Sequence, residues 1–182
     1  MEQVPLIYRP EAIAFVADAT QYCIAMEQTE QPTRGALVTT LRQLLPVLYL
    51  KVNQLPYVEV EDFFEELPEV VTEADYDYVR RRIAVIMGEQ DDYLDVLVED
   101  MKYSDRPIRK SVSEDLADLY QPLRNFVESY KQGNEDTMLL ALAQIQEDYA
   151  QNWGQVLLSV LRALHDVYYT QGVPFEEEAE TD

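Results

Sequence analysis

The chain has 182 residues, with 35 acids against 14 lysines and arginines and a formal net charge of -21. Affinity for nucleic acid comes mainly from basic side chains that neutralise phosphates, so this balance excludes non-specific nucleic-acid binding and argues equally against anionic membrane surfaces. With 47% apolar residues, 13 tyrosines and five glycines, the chain holds enough apolar material for one core and is not disordered.

The N-terminal stretch MEQVPLIYRPEAIAF shows no basic leader and no small-residue cleavage site, and no apolar run reaches the roughly 18 residues that cross a bilayer. Cytoplasm is the expected compartment. Pro10, a favoured first-turn residue, opens a helix predicted to run to about Gln28. Ile13, Val16, Thr20 and Cys23 form its expected inward stripe, with Phe15, Ala19, Tyr22 and Met26 beside it. The lone Cys23 has no partner for an internal disulfide and is expected as a buried thiol. TEQPT, 29–33, is short enough to make the second helix an antiparallel neighbour. There Leu37, Leu41, Leu44, Leu48, Val52 and Leu55 keep helical phase through Pro46, which predicts a bend and not an end. PYVEVEDFFEELPEVV reads as an irregular connector with one helical turn at 62–67. Thr72 with Asp75 resembles a capping box for a third helix over Glu73 to Met87, stopped by Gly88.

A shorter fourth helix is expected from Asp91 to Met101, carried by Leu94, Leu97, Val98 and Met101, although DVLVE also alternates as a strand would. KYSDRPIRK, 102–110, reads as loop. Ser111 with Glu114 caps a fifth helix bearing Leu116, Leu119, Leu123, Phe126 and Val127, kinked at Pro122 and closed by Gly133. The last helix, about Glu135 to Gln171, is the longest. Leu142, Ile145, Tyr149, Val156, Val160 and Val167 trace one stripe, and Trp153, Leu157, Leu161, Leu164 and Tyr168 an adjoining one. So wide an arc belongs to a helix touched by several neighbours, at the centre of the bundle. Gly154 is its expected bend, where a ring or backbone comes close. The expected architecture is all-α: a single domain, 1–172, of five to seven helices, followed by a mobile acidic tail, 173–182.

Three consecutive arginines are the most unusual feature of so acidic a chain. On a helical wheel Arg81 points away from Val79, Ile83 and Ile86, whereas Arg82 lies beside that apolar stripe. Arg82 is therefore expected to turn inward, where a carboxylate from 91–100 or a set of carbonyls must offset its desolvation. Half of all basic residues fall between Arg80 and Lys110. Brought over the third helix, Arg80, Arg82, Lys102, Tyr103, Arg106, Arg109 and Lys110 would make a basic pocket suited to a phosphate or an acidic peptide. Otherwise they balance neighbouring acids. Tyr76, Tyr78, Tyr93, Tyr103, Tyr120 and Tyr130 either add an aromatic binding surface or sit at the core edge with their hydroxyls in water.

The enzymatic alternative is magnesium-dependent nucleotide hydrolysis. Glu65, Glu66 and Glu69 in EELPE, and Glu89 with Asp92 in EQDD, fit the carboxylate spacing of helical nucleotide pyrophosphatases of the dUTPase and MazG type. Pro68 interrupts the first pattern and Gly88 precedes the second, yet ligands at such spacing need an unbroken helix to share a face. A di-iron bundle needs two Glu-x-x-His pairs; the single His165 leaves none, and it is expected as a packed, hydrogen-bonded residue. No nucleophile triad, phosphate-cradling glycine loop or zinc spacing appears, and Cys23 lacks a nearby base in sequence. No cofactor or metal is expected.

The segments EADYDYVRRRIAVIMGEQDDYLDV, EDMKYSD, EDLADLYQPLRNFVESYKQGN and NWGQVLLSVLRALH together resemble an uncharacterised all-helical bacterial family classed as a domain of unknown function, over about Leu6 to Gly172. The resemblance implies a helical bundle in a bacterial cytoplasm and brings no activity or catalytic residue. The functional expectation is a non-catalytic binding or adaptor protein, engaging a protein partner or an anionic ligand through the Arg80 to Lys110 region.

Overall fold

Pro10 opens α1 (Pro10–Glu27) directly after an extended Arg9. The structure, a computed structural model, describes residues 4–28, 30–58, 67–95 and 106–170. The buried face of α1 is rotated from the expected one: Ala12, Phe15, Ala19, Tyr22, Cys23 and Met26 are buried, while Ile13 is 54% exposed. Small and large side chains alternate along this face, which interdigitates with α2 and α4. Burial pushes the Cys23 thiol up to about 12.

Thr33 caps α2 (Arg34–Val52) by accepting the Ala36 N–H at 3.2 Å, and the helix continues through Pro46. Its buried row is Leu37, Val38, Leu41, Leu45, Leu48 and Val52. The reciprocal capping box at α3 (Glu73–Met87) is formed: Asp75 N donates to Thr72 Oγ at 3.2 Å, and Thr72 N to the Asp75 carboxylate at 2.9 Å. Gly88, with φ +56, ends the helix. Residues 62–66 of the connector turn expected over 62–67, and the tail, lie outside the described residues.

No helix starts at Asp91. Asp92–Asp95 is a strand, β1, paired antiparallel with β2 (Ile108–Ser111), in the register Asp92 to Ser111 and Asp95 to Ile108. Asp91 is instead committed to the next helix, α4 (Val112–Lys131): its carbonyl accepts the Val112 N–H at 2.8 Å and its carboxylate the Ser113 N–H at 2.8 Å. Ser111 Oγ accepts the Glu114 N–H at 3.3 Å. Three of the amides that a helix start leaves orphaned are thus satisfied.

α5 (Glu135–Asp148), capped by Asn134, runs without interruption through a π turn at Tyr149–Trp153 into α6 (Gly154–Tyr169), one continuous rod. Buried positions are Met138, Leu142 and Ile145 before the wide turn, and Trp153, Leu157, Val160, Leu164 and Val167 after it. The step from Ile145 to Trp153 is one residue longer than two ordinary turns, and the π turn absorbs the extra residue. The rod packs on α4 along both halves and on α2 along α6. α4 also touches α1 and α3, so it shares the centre with the rod.

Thr72→Ala is expected to cost about 1 kcal/mol at neutral pH. The Thr72 hydroxyl, followed by its backbone N–H, holds the Asp75 carboxyl below its ordinary range. That contribution is present above the unfolded-state value and is lost as pH falls through the depressed folded value. Urea melts of variant and parent should therefore differ most near neutrality and draw together in acid.

Gly154→Ala should have the opposite sign from a usual helical glycine replacement, which gains about 1 kcal/mol. A Cβ there would stand 2.6 Å from the Tyr149 carbonyl oxygen and 2.9 Å from the Tyr149 ring. Thermal unfolding should show a loss of about 1–3 kcal/mol.

Candidate functional site

The three arginines divide between two tasks. Arg80 reaches Asp77 Oδ1 with Nε at 3.3 Å and Nη2 at 3.2 Å, and Arg81 donates to Asp77 Oδ2 at 2.9 Å, so two cations share one carboxylate. Arg82 turns inward and is 6% exposed. Among the described residues it meets no carboxylate from 91–95, and 96–100 lie outside them; Nη1 donates to the carbonyls of Ala25 at 3.3 Å and Met26 at 3.2 Å, and Nη2 to that of Glu30 at 3.3 Å. The last carbonyls of a helix lack internal donors and carry the negative end of its dipole, and a guanidinium answers both needs at the end of α1.

Arg109 and Lys110 are neighbours on β2 and face opposite sides, as strand alternation requires. Arg109 pairs with Asp92 on the outer side. On the inner side Lys110 Nζ lies 3.0 Å from Asp115 Oδ1 and 3.8 Å from Asp95 Oδ2, while Tyr93 also donates to Asp115. Arg162 of α6 reaches Asp95 at 2.8 Å and the Leu94 carbonyl at 3.2 Å. Both carboxylates are buried, and burial raises the Asp115 pKa against the opposing pull of Tyr93 and Lys110. The cluster fastens the hairpin to α4 and α6. Arg106 stands exposed just before β2; Lys102 and Tyr103 lie outside the described residues.

The candidate aromatic surface resolves into ties between elements. Tyr76 donates to Asp118 at 2.7 Å, Tyr120 to Glu27 at 2.7 Å and Tyr130 to the Ile7 carbonyl, whereas Tyr78 is exposed. Burial and then a carboxylate acceptor raise the pKa of Tyr76, Tyr93 and Tyr120 well above the ordinary phenol value.

Of the candidate magnesium ligands, Glu89 lies in a 3-10 turn and Asp92 in β1, so no helical face joins them. Glu65 and Glu66 are outside the described residues, within which no group of three or more metal-ligating side chains assembles. No helix among those residues is long and apolar enough to cross a membrane. His165 is exposed on α6 rather than packed, its ring 4.7 Å from that of Tyr169, because it falls on the side of α6 opposite Leu164 and Val167. It borders a shallow depression with Arg42 and Arg162. Arg42 is already engaged there, its guanidinium 3.7 Å from the Tyr168 ring centre and donating to the Tyr169 hydroxyl at 3.0 Å.

A cavity of about 550 Å³ lies elsewhere, between α4 and the α5 half of the rod. Both helix irregularities line it: Pro122, which removes the N–H that would bond the Asp118 carbonyl, and the π turn. Its floor is aromatic. Phe126 and Trp153 both contact Phe15, at ring-centre separations of 5.3 and 6.5 Å, and the Trp153 N–H is used on the Ile145 carbonyl at 3.1 Å. Asn125 Oδ1 closes one rim by accepting the N–H groups of Val70 at 2.9 Å and Val71 at 3.0 Å. Ser129 also lines the groove, and its hydroxyl is buried with no hydrogen-bond partner among the described residues. Asp148 stands half-buried on the α5 side, where burial and then the adjacent Glu147 raise its pKa.

Over residues 6–170 the sequence matches the family described as Domain of unknown function (DUF5063). The chain belongs to that family. It is similar to the crystal structure of protein BF1032 from Bacteroides fragilis, a structural-genomics target, with 37% identity, a TM-score of 0.80, and 92% of this chain and 98% of that chain covered. No curated protein matches the sequence. For this DUF5063 chain the sequence marked Phe126, Ile145, Trp153 and Val156 as apolar-stripe positions, Pro122 as a kink, and Pro68 and Glu69 within EELPE, but nothing in it pointed to a groove between them. Ser129 did carry a signal: a polar residue one turn after Phe126 on the most strongly apolar face of α4.

Arg82→Met is expected to cost about 2 kcal/mol, in the range for lost hydrogen bonds to a charged group, whereas Arg81→Met should stay within about 0.5 kcal/mol. Chemical denaturation of the two variants checks the contrast.

Proposed function

We propose that this chain is a non-catalytic binding protein whose ligand site is the groove between α4 and α5. The observation that carries the reading is the buried, unpartnered Ser129 hydroxyl in a half-enclosed cavity floored by Phe126 and Trp153. A buried polar group normally has its hydrogen bond made, and one left open beside a cavity of ligand size is an invitation to a ligand. Among the described residues that hydroxyl makes no hydrogen bond to a base, so nothing there sets it up as a nucleophile. A ligand site at Arg80 to Lys110 has less support, because Arg80, Arg82, Arg109 and Lys110 are each engaged by acids or carbonyls of the fold itself.

Trp153 is the single tryptophan of the chain, so intrinsic fluorescence reports on the groove floor. A small-molecule fragment set is expected to contain binders that change this emission saturably. Gln144→Phe, on the exposed rim, should abolish their binding while leaving the thermal midpoint unchanged. Binders insensitive to that plug, or no saturable binder at all, would remove the groove as the site.

A further inference from the structure

The polar inventory of the groove defines the chemistry of its ligand, given that the groove is the site. We infer that it takes an ammonium- or guanidinium-bearing ligand, with the cation at Asp148 and an apolar body lying on Phe126 and Trp153.

Asp148 is the deciding residue. It is half-buried, and among the described residues it has no hydrogen-bond or ion-pair partner. Its neighbour Glu147 has the same charge and is held by the Gln151 amide at 3.0 Å, so no cation relieves the pair from that side. A carboxylate withdrawn from water without a counterion is costly, and proteins normally supply a partner. Among the described residues no lysine, arginine or histidine lines the groove, whereas Glu69 and Asp118 do. An anionic ligand would therefore meet carboxylates on both walls, and a cation meets a field of one favourable sign. The remaining polar groups fit a donor-rich ligand: Ser129 Oγ is open as an acceptor, and the Asp118 carbonyl has lost its helical donor to Pro122. Aromatic walls suit the same occupant twice, since they bury an apolar body and attract a cation to their faces.

The chemistry has two sources, a free amine or a basic side chain of a peptide, and the experiment has an arm for each. Trp153 fluorescence titrations in about 0.15 M salt, where long-range attraction to the acidic surface is screened, compare phenethylamine with the neutral phenethyl alcohol and the anionic 3-phenylpropionate. A capped tripeptide with a central arginine forms the peptide arm. At least one cationic probe should bind at least tenfold more tightly than phenethyl alcohol, with 3-phenylpropionate weakest. If the tripeptide outranks phenethylamine, the source is a peptide; the reverse order assigns a free amine. Asp148→Asn should erase the cation's advantage and leave phenethyl alcohol binding as it was. Equal affinities for charged and neutral probes, or an advantage that survives Asp148→Asn, would overturn the cation assignment while the groove remains a site. Failure of every probe to give a saturable change would overturn both readings.

Discussion

Burial of α4 on most of its sides is the constraint from which the rest of the structure follows. Leu116, Leu119, Leu123, Phe126 and Val127 meet α1, α3 and both halves of the C-terminal rod, and an amphipathic helix gains most of its stability from such packing rather than from propensity. Because neighbours hold it along its length, α4 tolerates Pro122 without breaking. The proline instead leaves a local irregularity, and opposite it the rod has a π turn. Where two helices with such departures lie side by side their surfaces do not mesh, and the groove is the result.

Local signals in the sequence were sufficient for most helix ends. Thr72, Ser111, Gly88 and Gly133 act through contacts a few residues away, so the pattern that announces them is nearly complete in one short window. β1 depends on something no window contains. Its inward residues are Tyr93 and Asp95, polar enough to look solvated, and their burial is made acceptable by Lys110, Asp115 and Arg162, the last of them 67 residues beyond Asp95 in sequence. Leu94, which suggested a helix, is on the outer side.

The π turn left a trace that invited another explanation. Two adjoining apolar stripes on the last helix resemble a wide arc, as if several neighbours surrounded it. Part of that width is one stripe displaced by a residue at Tyr149–Trp153. The candidate site follows the same division. The inward azimuth of Arg82 was readable from helical geometry, but its partners at the end of α1 come from tertiary packing. Ser129 and Asp148 belong to different helices, and only the seating of α5 on α4 brings them to one cavity.

A chain with 35 acids and 14 bases cannot match its carboxylates with cations one for one. Tyr76, Tyr93 and Tyr120 supply neutral donors in their place and link α3 to α4, the hairpin to α4, and α4 to α1. Electrolyte weakens attraction between opposite charges, but it has far less hold on a bond whose donor is uncharged. The same ions relieve the mutual repulsion of the surplus carboxylates. Concentrated salt therefore removes a cost from this fold while sparing these three ties between its elements.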